Sequence, residues 1–220
     1  MPWFYYLGIM FILKPLLHML TRWRVNGKEN VPAHGPVIIV SNHLNLVDPP
    51  LLSASIKRRI VFMAKEELFH SLILGPLVRG WHAFPVRREG LDREALRQAQ
   101  QVLGEGLALG MFPEGARSAT AQLQRARAGT SLLALRSGVP VLPVGITGTE
   151  KIKSPIAILR RPEVTVNIGK PLSLTPIDGQ STKAQLVSAT DFIMVRIAEL
   201  LPPSYRGVYG GDDYGRSIGD

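Results

Sequence analysis

Short apolar runs recur along this chain and narrow its possible folds more than any other feature. Val37-Ile38-Ile39-Val40, Ile60-Val61-Phe62-Met63 and the stretch 141–146 show no alternation of polar and apolar residues. A strand with one wet face alternates, so these runs predict strands buried on both faces. Residues 83–86, 107–112 and 164–168 read as further strands. Between the strands lie segments with helical spacing: 91–103, 129–136 closed by Gly138, and 181–201. Residues 68–78 predict a helix interrupted by Gly75-Pro76. Helices alternating with wholly apolar strands define the α/β class, here one domain with a mostly buried mixed sheet flanked by helices. The length, 220 residues with 45% apolar, suits a single core.

The N-terminus departs from that pattern. Residues 3–20 read WFYYLGIMFILKPLLHML, interrupted by Lys14-Pro15. The run is marginal for a spanning helix, which wants roughly 20 apolar residues. It lacks the basic start and small-residue cleavage site of a signal peptide. Trp3, Tyr5 and Tyr6 favour a membrane interface, and Arg22, Arg24 and Lys28 follow where anionic headgroups would lie. The segment 1–25 is therefore expected to be a membrane-associating helix, interfacial or partly inserted. Burial against the domain and a true span remain open. The domain proper is expected over 26–201. Residues 202–220, glycine-rich with little apolar content after Val208, are expected to be a flexible tail.

Composition excludes some chemistry. There is no cysteine, hence no disulfide framework and no thiolate nucleophile. The formal charge of +9 suits anionic lipid, nucleic acid or phosphorylated small molecules. A nucleic-acid binder would interleave its basic residues with exposed aromatics, whereas Trp3, Tyr5 and Tyr6 sit in the apolar segment.

Three polar clusters follow strands, where α/β sheets bind ligands. His43 leaves the first buried strand with Asp48 five residues on. A carboxylate that accepts from one imidazole nitrogen fixes the tautomer and leaves the other nitrogen to take a proton. Alternatively Asp48-Pro49 is a helix start, with Asp as N-cap and Pro as first helical residue. The G-x-S-x-G string at residues 215–219 lies in the expected flexible tail and not between a strand and a helix, where a nucleophile elbow sits. A histidine base without a protein nucleophile implies direct transfer to a substrate hydroxyl. In FPEGARS, residues 112–118, Pro113 and Gly115 force a tight loop from which Glu114 and Arg117 project. Arg117 offers a phosphate fork and Ser118 a hydroxyl; a structural Glu114–Arg117 pair is the competing reading. Arg87-Arg88 alone reads as a solvated basic spot.

Taken together, these clusters resemble the 1-acylglycerol-3-phosphate acyltransferases of phospholipid synthesis, over roughly residues 20–170. The family's N-H-x-x-x-x-D block is matched by Asn42, His43 and Asp48. Gly80, Phe84, Val86 and Arg88 match its second block, 112–118 its F-P-E-G-x-R-S block, and Val139, Pro140 and Pro143 its V-P-x-x-P block. Asn45 stands where the family often has Ser, and Ala116 where it often has Thr.

The resemblance implies an acyl transfer from acyl-CoA or acyl-acyl carrier protein to lysophosphatidate. His43 is then the general base and Asp48 its orienter. Arg88 and Arg117 hold the acceptor phosphate, Glu114 positions the glycerol or an arginine, Gly115 and Ser118 are further substrate-binding residues, and Pro143 shapes the site. No metal or prosthetic group is implied. The expected partners are a membrane bilayer at its cytoplasmic face, a lysophospholipid and the acyl donor, with no nucleic acid. The alternatives are acylation of another lysophospholipid or an amino-acid lipid and, more distantly, a non-catalytic membrane-bound interaction protein.

Overall fold

The strand β2, Val37–Ser41, is buried at every residue and lies at the centre of a seven-stranded sheet. The structure is a computed structural model and describes residues 8–72, 74–80, 83–87, 92–153, 160–175 and 181–211. The other strands are β1 (Arg22–Asn26), β3 (Ile60–Lys65), β4 (Phe84–Val86), β5 (Ala108–Met111), β6 (Val141–Thr147) and β7 (Glu163–Ile168). Their order is β1-β7-β6-β2-β5-β3-β4. Neighbours run parallel except β6 and β7, so the sheet is mixed. The chain is thus a single α/β domain.

Described helices are α1 (Lys14–Leu20), α2 (Asp48–Ser55), α3 (Glu66–His70), α4 (Leu74–Gly80), α5 (Arg93–Gly104), α6 (Gly129–Ser137) and α7 (Lys183–Glu199). Two cores fill the two faces of the sheet. On one, Ile38, Val40, Leu109 and Val141 meet Ala99 and Leu103 of α5, Leu133 of α6 and Ile193 and Ile197 of α7. On the other, Ile39, Ile60, Leu142 and Val166 meet Leu51 and Leu52 of α2. Each fully buried large apolar side chain contributes roughly 1.5–3 kcal/mol, which is why these strands carry no polar face. The final helix opens with a capping box, Thr182 and Gln185 each bonding the other's backbone N–H.

Three expectations are corrected. The domain begins earlier than residue 26, because Arg22–Asn26 pairs along its whole length with β7. Trp23 and Val25 pack against the core while Arg22, Arg24 and Asn26 are exposed. This alternation of period two is that of an edge strand, and the arginines had read as headgroup ligands. Second, residues 202–211 are packed rather than loose. Two short 3-10 turns, Pro203–Tyr205 and Gly207–Tyr209, place Tyr209 in the core, 6% exposed. Residues 212–220 lie outside the described residues. Third, Asp48 is the first helical residue of α2 and Val47 its cap, with no side-chain capping bond. The Asp48 carboxylate is drawn back to the preceding loop instead.

Residues 1–7 also lie outside the described residues, so the expected Trp3, Tyr5 and Tyr6 anchors do too. From Gly8 to Leu13 the chain is π-helical, then α-helical from Lys14, where the charge and Pro15 interrupt the apolar run. One face is docked: Ile9 is buried, Leu17 packs on the core and the His18 ring lies 4.9 Å from that of Trp23. The other face exposes Met10, Phe11, Ile12 and Met19. Among the described residues no helix is long and apolar enough to cross a membrane.

Candidate active site

Strands β2, β5 and β6 run parallel, so their carboxyl ends share one edge. The loop after β2 begins with Asn42, whose side chain acts as a piece of strand. Its Nδ2 donates to the Ile146 carbonyl at 2.8 Å and its Oδ1 accepts from the Ile146 N–H at 2.7 Å. An Asn amide carries the same donor and acceptor as a peptide, so the sheet continues by one register and fixes where His43 starts.

His43, 8% exposed, places Nδ1 2.8 Å from Oδ2 of Asp48, which is wholly buried. The same Oδ2 accepts from the backbone N–H of Leu44 and of Asn45, both at 2.7 Å. Three groups converging on one oxygen hold the carboxylate aimed at the ring. Nδ1 then carries the hydrogen, and no described residue bonds Nε2. The imidazole stacks on Phe112, ring centres 4.1 Å apart and 21° from parallel. A ring fixed at one nitrogen, stacked on one side and free at the other nitrogen can accept a proton from a bound hydroxyl.

The 112–118 loop braces this pair from the side of β5. The Ser118 N–H donates to the His43 carbonyl at 2.8 Å. Glu114, 5% exposed, accepts the His43 N–H on Oε1 and the Gln124 N–H on Oε2, each at 3.0 Å. Both carboxylate oxygens are therefore spent on backbone, and the Glu114–Arg117 pair left open by the sequence is not formed. Burial pushes the Glu114 carboxyl up to about 7; its two backbone bonds pull the other way, and the charge of Asp48 adds to the rise. Gly115 turns the loop in the left-handed region, φ 72°, and a Cβ there would sit 3.0 Å from the Arg127 side chain. Glycine suits the position on both counts.

Arg117 is exposed, with neither a hydrogen bond nor an ion pair to any described residue. Its charge is available to a ligand. Ser118 spends its proton on the Gln122 carbonyl, 2.7 Å away, and keeps lone pairs for accepting. Pro143 is buried inside β6, opposite Val40, three residues short of Ile146. Of the second block, Gly80 ends α4 and Phe84 and Val86 lie on β4, while Arg88 lies outside the described residues. Its neighbour Arg87 is exposed and bonds Glu66 at 3.2 Å.

Two residues were not singled out for a role by the sequence. Arg127 lies with its stem over Gly115, and its N–H donates to the Pro113 carbonyl at 2.9 Å. Nothing distinguishes it in the sequence from the neighbouring arginines. Asn45 spans outward, its Nδ2 donating to the carbonyls of Thr149 and Ile152, both at 3.0 Å. An Asn inside a polar loop was a signal for such bridging.

A model of the acyltransferase family matches residues 22–147 of this chain. The chain belongs to that family. The 1-acyl-sn-glycerol-3-phosphate acyltransferase of Bacillus subtilis is 30% identical over 189 residues, 86% of this chain and 92% of that protein. The Streptococcus pneumoniae enzyme of the same name is 30% identical over 170 residues, 73% of this chain and 62% of its own. The crystal structure of the 1-acyl-sn-glycerophosphate acyltransferase PlsC from Thermotoga maritima matches with a TM-score of 0.64 at 27% identity, covering 88% of this chain and 80% of that one. The acyltransferase described here keeps its His43–Asp48 pair and the 112–118 loop within the matched region.

Proposed function

We propose that this acyltransferase moves a fatty acyl group to the free hydroxyl of 1-acylglycerol-3-phosphate, giving phosphatidate, with acyl-CoA or acyl-acyl carrier protein as donor. The observation that carries the catalytic reading is the 2.8 Å contact of His43 Nδ1 with a buried, triply bonded Asp48 oxygen. His43 Nε2 takes the proton of the acceptor hydroxyl as that oxygen attacks the thioester carbonyl. The tetrahedral intermediate collapses, the C–S bond breaks, and the imidazolium returns the proton to the departing thiolate. Asp48 stabilises the imidazolium between the two steps. This cycle returns every group to its starting state and calls for no metal or prosthetic group.

Arg117, exposed and without a partner among the described residues, binds the acceptor phosphate, with Arg88 and Arg127 as further cations of that site. Glu114 serves by holding the loop, through its two backbone amides, rather than by touching the glycerol. The names of the relatives favour lysophosphatidate over other lysolipids. The exposed apolar face of residues 10–19 and the basic charge favour work at the cytoplasmic face of a membrane. The test is an assay of the purified protein in detergent or vesicles against lysophosphatidate and other lysolipids, with acyl-CoA and acyl carrier protein donors. Phosphatidate formation that needs His43 supports the reading. A clear preference for another acceptor overturns it.

A further inference from the structure

The two loops that hold His43 are joined twice, once directly and once through the end of the chain. Directly, the His43 N–H meets Glu114, and Glu114 meets the Gln124 N–H. The second connection starts at Asn45, which bonds the turn Thr149–Lys151 through the Thr149 carbonyl and extends to Ile152. The next residue in that turn, Glu150, accepts the Tyr205 hydroxyl at 2.7 Å. The Tyr205 carbonyl accepts the Leu123 N–H at 2.9 Å, and Gln124 follows Leu123. The circuit therefore closes: Asp48, Asn45, the turn, Tyr205, Leu123, Gln124, Glu114, His43.

The geometry points to Tyr205 as a positioning residue for acyl transfer, closing a ring of hydrogen bonds that fixes the spacing between the His43–Asp48 loop and the 112–124 loop. It touches neither the acceptor nor the donor. The segment that carries it is fitted closely. Gly207 has φ 49°, and a Cβ there would lie 2.2 Å from the Leu123 carbonyl oxygen. That oxygen also accepts the Val208 N–H, and Tyr209 accepts the Ala126 N–H at 3.2 Å. Burial, and the bond to Glu150 after it, push the Tyr205 phenol up to about 12, so the hydroxyl remains a donor across the working range. The other Glu150 oxygen, Oε2, is buried with no hydrogen-bond partner among the described residues. Tyr205 is thus the bond that anchors this carboxylate. Reacting groups must be held within a fraction of an ångström, and small displacements transmitted from a distance can cost up to about 10²-fold in rate.

This inference rests on the acyl-transfer reading of His43, and its test separates the two. Tyr205→Phe keeps the ring packing and the backbone bond to Leu123 and removes only the hydroxyl. The expected result is a fall in kcat of about 5- to 30-fold with both KM values within twofold and a melting temperature lower by a few degrees, since the buried Glu150 carboxylate loses its partner. Glu150→Ala should show the same loss, and the double variant should be no worse than either single one, since all three break one bond. Glu150→Gln keeps an acceptor for the hydroxyl and should recover most of the rate. Wild-type kcat in Tyr205→Phe, or additive losses in the double variant, overturns the positioning role. A wild type that acylates another lysolipid overturns the acceptor reading alone, and the same comparison then runs on that lipid.

Discussion

The loop after β2 and the loop after β5 meet at one sheet edge, yet they are built on opposite principles. In the first, His43 and Asp48 are buried and joined: three donors meet on one Asp48 oxygen, and Asn42 is locked to Ile146. In the second, Glu114 is buried and consumed by backbone amides, while Arg117 stands exposed and uncommitted. A base works only if its tautomer and direction are set before substrate arrives, so its bonds are made in advance. A phosphate ligand works only if its charge is free until then. The contrast predicts that damage in the first loop falls on the chemical step and damage in the second on acceptor binding.

The largest expected effect is from His43→Ala. Loss of the base should lower kcat toward the upper end of the roughly 10²–10⁴-fold range for general acid–base catalysis, with melting temperature measured beside it. Substantial activity in the folded variant would remove the base assignment. Asp48→Asn comes next and isolates charge from architecture. The second oxygen of Asp48, Oδ1, has no partner among the described residues. An Asn can therefore turn its carbonyl to the three donors and its amide to the vacant side. Folding should survive while the imidazolium loses its counter-charge, for a fall of about 10²-fold in kcat. Thermal denaturation decides whether the side chain was needed mainly for structure.

Arg117→Ala should break the comparison on the other side. Losing a charge-assisted fork from a partly desolvated site costs roughly 2–3 kcal/mol, or about 30- to 150-fold in acceptor KM. Donor KM and kcat should change little. Equal effects on both substrates would move Arg117 from acceptor binding to loop architecture.

The same contrast explains what the sequence could disclose. Central strands were legible because burial on both faces leaves no polar residue in Val37–Ser41 until its end. His43 and Asp48 were legible because their spacing permits one ring–carboxylate bond within a loop. Arg22–Asn26 was not, since its arginines suggested headgroups and its pairing is with a strand 141 residues away in register. Asp48-Pro49 resembled a cap because helix starts favour those residues; three donors converging from the preceding loop outweigh that local preference. Residues 202–211 looked loose by their glycines, yet Gly207 is there because Leu123 approaches too closely for a Cβ. Composition shows neither convergence nor close approach.

The smallest expected effect belongs to Glu114 and reads the buried part of the second loop. Its carboxyl rises from about 4.5 in the unfolded chain to about 7 in the folded protein. Between those values the folded protein holds a proton that the unfolded chain releases. Stability from this group is therefore fully present below pH 4.5 and is lost as pH rises through about 7. The cause is burial opposed by the amides of His43 and Gln124. Glu114→Gln removes the titration and sets an amide N–H₂ against one of those two N–H donors, a cost of roughly 1–3 kcal/mol. The variant should melt below wild type in acid, and the gap should close or reverse as pH rises from about 4.5 to about 7.5. A gap independent of pH would mean that Glu114 is ionised throughout that range, and that its two amide bonds outweigh its burial.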